Sequence, residues 1–415
     1  MKRFNRRGIF LFLAVLGPGI ITAAADNDAG GIVTYAKSGA MYGFQMLWLL
    51  LLVTVVLVVV QEMSARMGVV TQKGLGELIR EEFGVKWTFF ALSCLLVANL
   101  ATTVAEFAGI AASLSMFGVP IFVSVPIAAI AIWFLVVRGT FRSVERVFLF
   151  LALIFVTYII SGFMAKPNWG AALHAMVKPS FQMNYGFIML TIAVIGTTIT
   201  PWMQFFLQAT VVDKGIHIKE YKYQKWDVII GAVLTDVVSF FIIVATATAL
   251  YFKQGHPVGI ETAGQAAAAL KPLTENYASY LFAFGLLNAS LLAAAVVPLS
   301  TAYTYSEAFG WEVGVSRRWK EAPAFYGIYT FCIAFGALVV LAPNLHLVNT
   351  MINAQCVSGI LLPVILIFML LLINKKSVMG EYTNSRTYNV LTWLLAIGLI
   401  GLTALLFILP LLHLG

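Results

Sequence analysis

The chain has 415 residues, 61% of them hydrophobic and only 11% charged, against roughly 25% charged in an average soluble domain. That composition excludes an ordinary soluble globular protein. The formal net charge of +8 would suit a nucleic-acid or acidic partner, but the placement of the basic residues assigns it to membrane orientation instead.

Apolar runs of about 20 residues, long enough to cross a hydrocarbon core of about 30 Å, recur from end to end. A transmembrane β-barrel would alternate polar and apolar positions, so the fold class is an all-α polytopic membrane protein. The first run follows Met1-Lys2-Arg3-Phe4-Asn5-Arg6-Arg7. It is too long for a signal peptide and has no small-residue cleavage site, so it reads as a span. Eleven spans are predicted: Ile9–Ala40, Phe44–Met63, Trp87–Met116, Pro120–Val137, Val144–Met164, Phe187–Val211, Trp226–Phe252, Tyr280–Phe309, Phe325–Leu341, Val348–Ile373 and Tyr388–Leu412. With a cytoplasmic amino terminus, the 26 basic residues divide 21 to 5 between cytoplasmic and outer segments, as the positive-inside rule requires. The outer loop from Lys253 to Asn276 carries an Ala-rich stretch expected to form a short surface helix. Cys94, Cys332 and Cys356 match no disulfide or zinc spacing. No linker or soluble domain interrupts the chain, and no nucleotide motif or catalytic triad is present, so an enzyme is not expected and no cofactor is implied.

Span 1 contains "AAADNDAGGIV", Ala23 to Val33. An aspartate at the centre of a membrane helix costs about 2.5–3.5 kcal/mol on insertion scales, so it needs a partner or a polar cavity. Asp26 and Asp28 stand beside Gly30 and Gly31, and a glycine pair is a weak point in a helix. A helix broken there exposes carbonyls such as that of Ala25, which lipid tolerates only where they line a cavity. Carboxylates with bare carbonyls make a hard-oxygen site for Na⁺, Mg²⁺, Ca²⁺ or Mn²⁺. Span 3 holds a further buried acid, Glu106. Span 6 reads "GTTITPWMQFF", Gly196 to Phe206, where Pro201 removes a backbone donor and predicts a second break. Two interrupted helices five spans apart match the inverted-repeat plan of secondary transporters, with the substrate site at the midplane between them. Asp236 in span 7 reads as a packing carboxylate.

These stretches resemble the Nramp divalent-metal transporters. "GPGIITAAADNDAGGIVT" is similar to the family's first-span signature, "ARMGVVTQKGLGELIREEFG" to its first cytoplasmic loop and "TTVAEFAG" to its third span. "KPNWGAALHAMVKPS", "LFAFGLLNASL" and "MGEYTNSRTYNVLTWL" extend the likeness over nearly the whole chain. The resemblance implies a LeuT-type fold: two inverted five-helix repeats, at 1–164 and 184–373, plus an extra span at 388–412. It also implies a bacterial plasma-membrane protein, with a divalent metal ion as substrate and lipid as its other partner; it leaves oligomeric state open, a monomer included.

The resemblance assigns site residues position by position. Asp28 matches the family's metal-binding Asp, Ala29 replaces its Pro, Gly30 keeps its Gly, and Gly31 replaces its metal-binding Asn. Its Met-Pro-His becomes Thr200-Pro201-Trp202. Thr197 stands where the family offers a backbone carbonyl, and Gln355 matches a span 10 Gln near the metal. Glu106 matches a span 3 Glu, but the neighbouring Asp is here Thr103. The implied metal set is Asp28, Thr197, Thr200, Gln355, Asp26, Ala25 and Gly31, with Glu106, Trp202, Thr103, Gly30 and Pro201 around it in supporting or gating roles.

Exchanging a soft thioether for Thr200 leaves only oxygen ligands, which favours a hard ion. Gly31 widens the pocket, and a roomy oxygen site suits Mg²⁺, which dehydrates reluctantly. The expectation is therefore Mg²⁺ uptake, with Mn²⁺ as a second substrate. All five histidines (His174, His217, His256, His346 and His413) lie in loops or at the terminus, so uniport without proton coupling is expected. The alternatives are the family's proton-coupled Mn²⁺/Fe²⁺ transport and, more remotely, sodium-coupled transport of an organic solute.

Overall fold

A computed structural model describes residues 18–138, 155–267 and 278–411. Its helices are α1 (Pro18–Asp26), α2 (Ala29–Tyr42), α3 (Leu47–Thr71), α4 (Leu75–Ser115), α5 (Ile121–Arg138), α6 (Val156–Met164), α7 (Trp169–Val177), α8 (Tyr185–Thr198), α9 (Pro201–Asp213), α10 (Tyr221–Thr246), α11 (Ala263–Ala266), α12 (Ala278–Phe309), α13 (Pro323–Val340), α14 (Leu347–Ile373), α15 (Lys376–Met379) and α16 (Arg386–Leu411). Among the described residues nine helical segments are long and apolar enough to cross a membrane, and no strand is present. The broken first span falls short of that length as two pieces, and the fifth is described only from Phe155 onward. Large apolar side chains such as Phe89, Phe122, Ile130 and Leu411 face outward, as they do where lipid is the solvent.

Several predicted boundaries move. Span 2 runs to Thr71, eight residues past the predicted Met63, because its last turns bury Arg66 against Glu62. Span 3 is the distal part of the 41-residue α4, which bends at Gly84 (φ 75°). The positive φ there suits glycine, and residues 75–83 form a separate arm that was predicted as a loop. The Ala-rich outer loop contributes the four-residue α11, which opens with a capping box between Thr262 and Gln265. Predicted residues 9–17, 144–154 and 412 lie outside the described residues.

The first span breaks at Asn27 and Asp28, not at the glycine pair. Asp28 is extended (φ −75°, ψ 175°) and its Oδ1 accepts from Gly31 N at 2.5 Å, a side-chain cap on α2. Capping satisfies one of the four donors that any helix start leaves orphaned. Gly30 and Gly31 lie inside the first turn of α2 and serve packing. A Cβ on Gly30 would collide with the Gln355 side chain from α14.

Small residues also set the contacts that hold the broken helices. α1 and α10 lie side by side and parallel. Gly19 N donates to Asp227 Oδ2 at 2.6 Å, Thr235 Oγ1 donates to Ala23 O at 2.5 Å, and a Cβ on Gly231 would lie 2.8 Å from Gly19 O. Past the break, Gly39 of α2 presses on Ile243 O, near the π-helical turn Ala247–Phe252 that ends the seventh span. At one end of the bundle Arg66 clasps the segment that leads into the last helix. It donates to Tyr382 O (3.1 Å), Thr383 O (3.2 Å) and Asn384 Oδ1, while its guanidinium lies 3.3 Å from Glu62.

Candidate cation site at the two helix breaks

The second break follows from Pro201. The proline has no N–H for Thr197 O, four residues back, so α8 stops at Thr198 and α9 starts with Pro201 in its first turn. Ile199 and Thr200 bridge the halves. Pro201 therefore begins a helix, where its fixed φ fits.

At the first break Ala29 N turns away from helical geometry and donates to Glu106 Oε2 at 3.2 Å. In an unbroken helix that N–H would bond Ala25 O. Both breaks thus free carbonyls at the ends of half-helices, where the helix dipole favours a cation. Glu106, from α4, reaches the start of α2 because Gly109 on the same face approaches Ala29 closely. An acid at a helix start is stabilising.

The carboxylates are fully buried: Asp26 and Asp28 are each 1% exposed and Glu106 0%. Gln355 Nε2 donates to both oxygens of Asp28, at 3.1 and 2.9 Å. Thr200 Oγ1 donates to Asp26 Oδ1 at 3.3 Å, linking the two breaks directly. The point where a Gly31 side chain would begin is bounded by oxygens: Thr197 Oγ1 at 2.8 Å, Asp28 Oδ1 at 3.1 Å and Asp26 O at 3.4 Å. Asp26 Oδ2, Thr197 Oγ1, Gln355 Oε1 and Glu106 Oε1 are buried without hydrogen-bond partners. Four orphaned oxygens gathered at two helix breaks fit a cation. The ion pairs recorded among the described residues use other acids, and none of these hydrogen bonds involves sulfur or imidazole. Among the described residues no three His, Cys, Asp or Glu side chains converge as a metal cluster, and two of the four orphaned oxygens, those of Thr197 and Gln355, are neutral.

Of the residues expected from sequence, Asp28, Thr197, Gly30, Gly31, Gln355 and Glu106 converge on the first break, and Asp26 and Thr200 tie it to the second. Two others stand apart. Thr103 bonds Asn99 O at 2.7 Å and packs on Gly336 of α13, one helical turn before Glu106. Trp202 is 1% exposed, packs edge-on against Phe206 and gives its carbonyl to Ser300. It faces protein, not lipid. Sequence reading passed over Tyr35, whose hydroxyl is paired with Thr198 Oγ1 at 2.8 Å and so ties α2 to the end of α8. Only three-dimensional adjacency reveals that pair.

Two broken helices facing each other inside a helical bundle, with carboxylates and bare carbonyls between them, define a secondary transporter of the LeuT-type fold. Solved transporters share this architecture: a nucleobase–cation symporter with bromovinylhydantoin bound matches at a TM-score of 0.56 and 12% identity over 94% of this chain and 92% of its own. A manganese transporter of Eremococcus coleocola matches at 0.76 and 20% identity over 99% of this chain and 88% of its own. The chain belongs to the natural resistance-associated macrophage protein-like family, Nramp, whose profile matches residues 19–409. It is 26% identical to the divalent metal cation transporter MntH of Bacillus subtilis, over 97% of this chain and 93% of that protein. It is 27% identical to MntH of Deinococcus radiodurans, over 95% and 90%. As a member of this family it is an integral membrane transport protein, not an enzyme.

Proposed function

We propose that the chain carries divalent metal cations, the cargo named for its curated relatives, and that it prefers Mg²⁺, with Mn²⁺ as a second substrate. One observation carries the preference: the space beside Gly31 is bounded by a hydroxyl, a carboxylate and a backbone carbonyl, with no thioether among them. Soft ligands select transition metals, whereas neutral oxygens and a roomy pocket suit an ion that keeps part of its water shell. Asp28 supplies the charge. The side chains of Thr197, Thr200 and Gln355 and the carbonyls of Ala25 and Asp26 supply further oxygens.

Transport by this reading is uniport. A membrane potential gives about 2.3 kcal/mol per charge per 100 mV, so a dication gains about twice that without a coupled proton. A second reading, proton-coupled Mn²⁺ or Fe²⁺ transport, has one observation in its favour: Glu106 Oε1 is buried and unpartnered beside the break. Liposomes loaded with a pH dye and a metal indicator separate the two. Mg²⁺ entry without internal acidification is expected; acidification in fixed ratio to metal entry would establish coupling instead.

The preference itself can be moved. Thr200→Met combined with Gly31→Asn returns a thioether and an amide to the breaks and fills the gap that Thr197 now borders. The double variant is expected to favour Mn²⁺ over Mg²⁺ at least tenfold more than the parent does, read as Mn²⁺ uptake under excess Mg²⁺. Unchanged competition would remove the oxygen-only argument.

A further inference from the structure

Asp236 lies midway along α10 and is 4% exposed. Neither of its oxygens accepts a hydrogen bond. Thr54 of α3 faces it, but that hydroxyl donates to Leu50 O at 2.7 Å. No Lys or Arg among the described residues pairs with it. A packing carboxylate would be expected to hold hydrogen bonds from its neighbours, and this one holds none.

The register of α10 on α1 decides what it faces. Thr235 bonds Ala23 O, and Ser239 Oγ lies 3.5 Å from Asn27 Oδ1. Asp236, between them, is therefore level with the last turn of α1. There it comes within electrostatic range of Asp26 and of Tyr35. Asp26 also has an open oxygen, Oδ2, because Thr200 occupies only Oδ1. Three carboxylate oxygens from two helices are thus left open in the membrane interior. Buried carboxylates are ordinarily paired or bound to metal, and here no basic side chain provides the pair.

We infer that Asp26 and Asp236 bind a second divalent cation, on the α1–α10 side of the break and separate from the position bounded by Asp28, Thr197 and Gly31. Two carboxylates balance the charge of one dication, whereas a monovalent ion would leave one carboxylate uncompensated. The oxygens are hard donors and too few to complete a shell of six, so the ion keeps part of its own water shell. The ion then has a resting place on either side of the Asn27–Asp28 break. The inference rests on the dication-transport reading but not on the identity of the first site's ligands.

Mn²⁺ is the probe, since it is paramagnetic and scatters anomalously. Full-length protein in lipid nanodiscs is expected to bind about two Mn²⁺ per chain, and Asp236→Asn, which keeps the side chain's shape, about one. Asp28→Asn should lose the other ion and keep the Asp236-dependent one. If Asp236→Asn binds as many Mn²⁺ ions as the parent, the second site is overturned, whatever happens to transport. If Asp28→Asn retains both ions while Asp236→Asn loses one, the second site stands and the Asp28 site falls. Anomalous difference density from the unsubstituted protein settles the matter without a variant: a peak between Asp26 and Asp236 supports the inference, and a single peak at Asp28 ends it.

Discussion

Asp28→Ala is expected to abolish metal uptake. A unit charge about 4 Å from an ion is worth about 4 kcal/mol at an effective dielectric of 20, which is about a thousandfold in affinity; a dication loses more. The substitution also removes the cap that Asp28 provides to α2, a loss of about 0.5–2 kcal/mol in helix stability. Asp28→Asn separates the two effects, because asparagine caps as well as aspartate but carries no charge. Both variants should fail to take up Mg²⁺ or Mn²⁺ in proteoliposomes, while only the alanine variant unfolds at lower temperature. Wild-type uptake by Asp28→Asn would mean that the cation sits elsewhere.

The second large effect is expected at Gly196, the residue of α8 just before Thr197. A methyl group there would collide with Gln355 O and Gly359 N and would lie 2.7 Å from Gly359 Cα. All three are backbone atoms, so no rotamer change relieves the contact. Gly359 meets Ile192 of α8 as closely in return, so the two helices touch through glycine on both sides. Gly196→Ala must therefore push α14 outward. Overpacking of this kind costs about 1–3 kcal/mol. The larger consequence is at the site: α14 carries Gln355, and its displacement would break the 2.9 and 3.1 Å bonds to Asp28. A lower unfolding midpoint and at least a tenfold loss of uptake are expected together. Wild-type values for both would show that the α8–α14 contact is not needed for transport.

Much of this arrangement is legible in the sequence because its causes are local. Pro201 cannot donate to Thr197 O, so the break in span 6 falls where the proline predicts. Buried acids in span 1 signal a polar interior whatever their neighbours. The exact break in span 1 is harder to read, because two local signals compete. The glycine pair weakens a helix, but an aspartate three residues before Gly31 caps one, and the capping signal wins. Gly30 and Gly31 are small for reasons outside the segment: Gln355, more than 300 residues away, and Thr197 take up the space. The same limit applies to Asp236. In sequence it is one acid in an apolar helix, and its lack of partners emerges only when α10 is laid against α1. The arm at 75–83 was missed because its bend depends on the backbone angle of a single glycine, Gly84.

Gln355 points its donor end at Asp28 and leaves its acceptor end idle. An amide can serve an anion with one end and a metal with the other, but not both toward the same spot. The NH₂ group holds the carboxylate as a surrogate for positive charge. On the proposed function an arriving ion would evict that surrogate, and a half-turn of the amide would then present oxygen in place of nitrogen. Loading is thus an exchange of partners rather than simple filling, and it sets a threshold. Hydrogen bonds to charged groups are worth about 1.5–3 kcal/mol each; on the proposed function a singly charged ion would recover less of that than a dication does, so the contact would disfavour sodium and potassium.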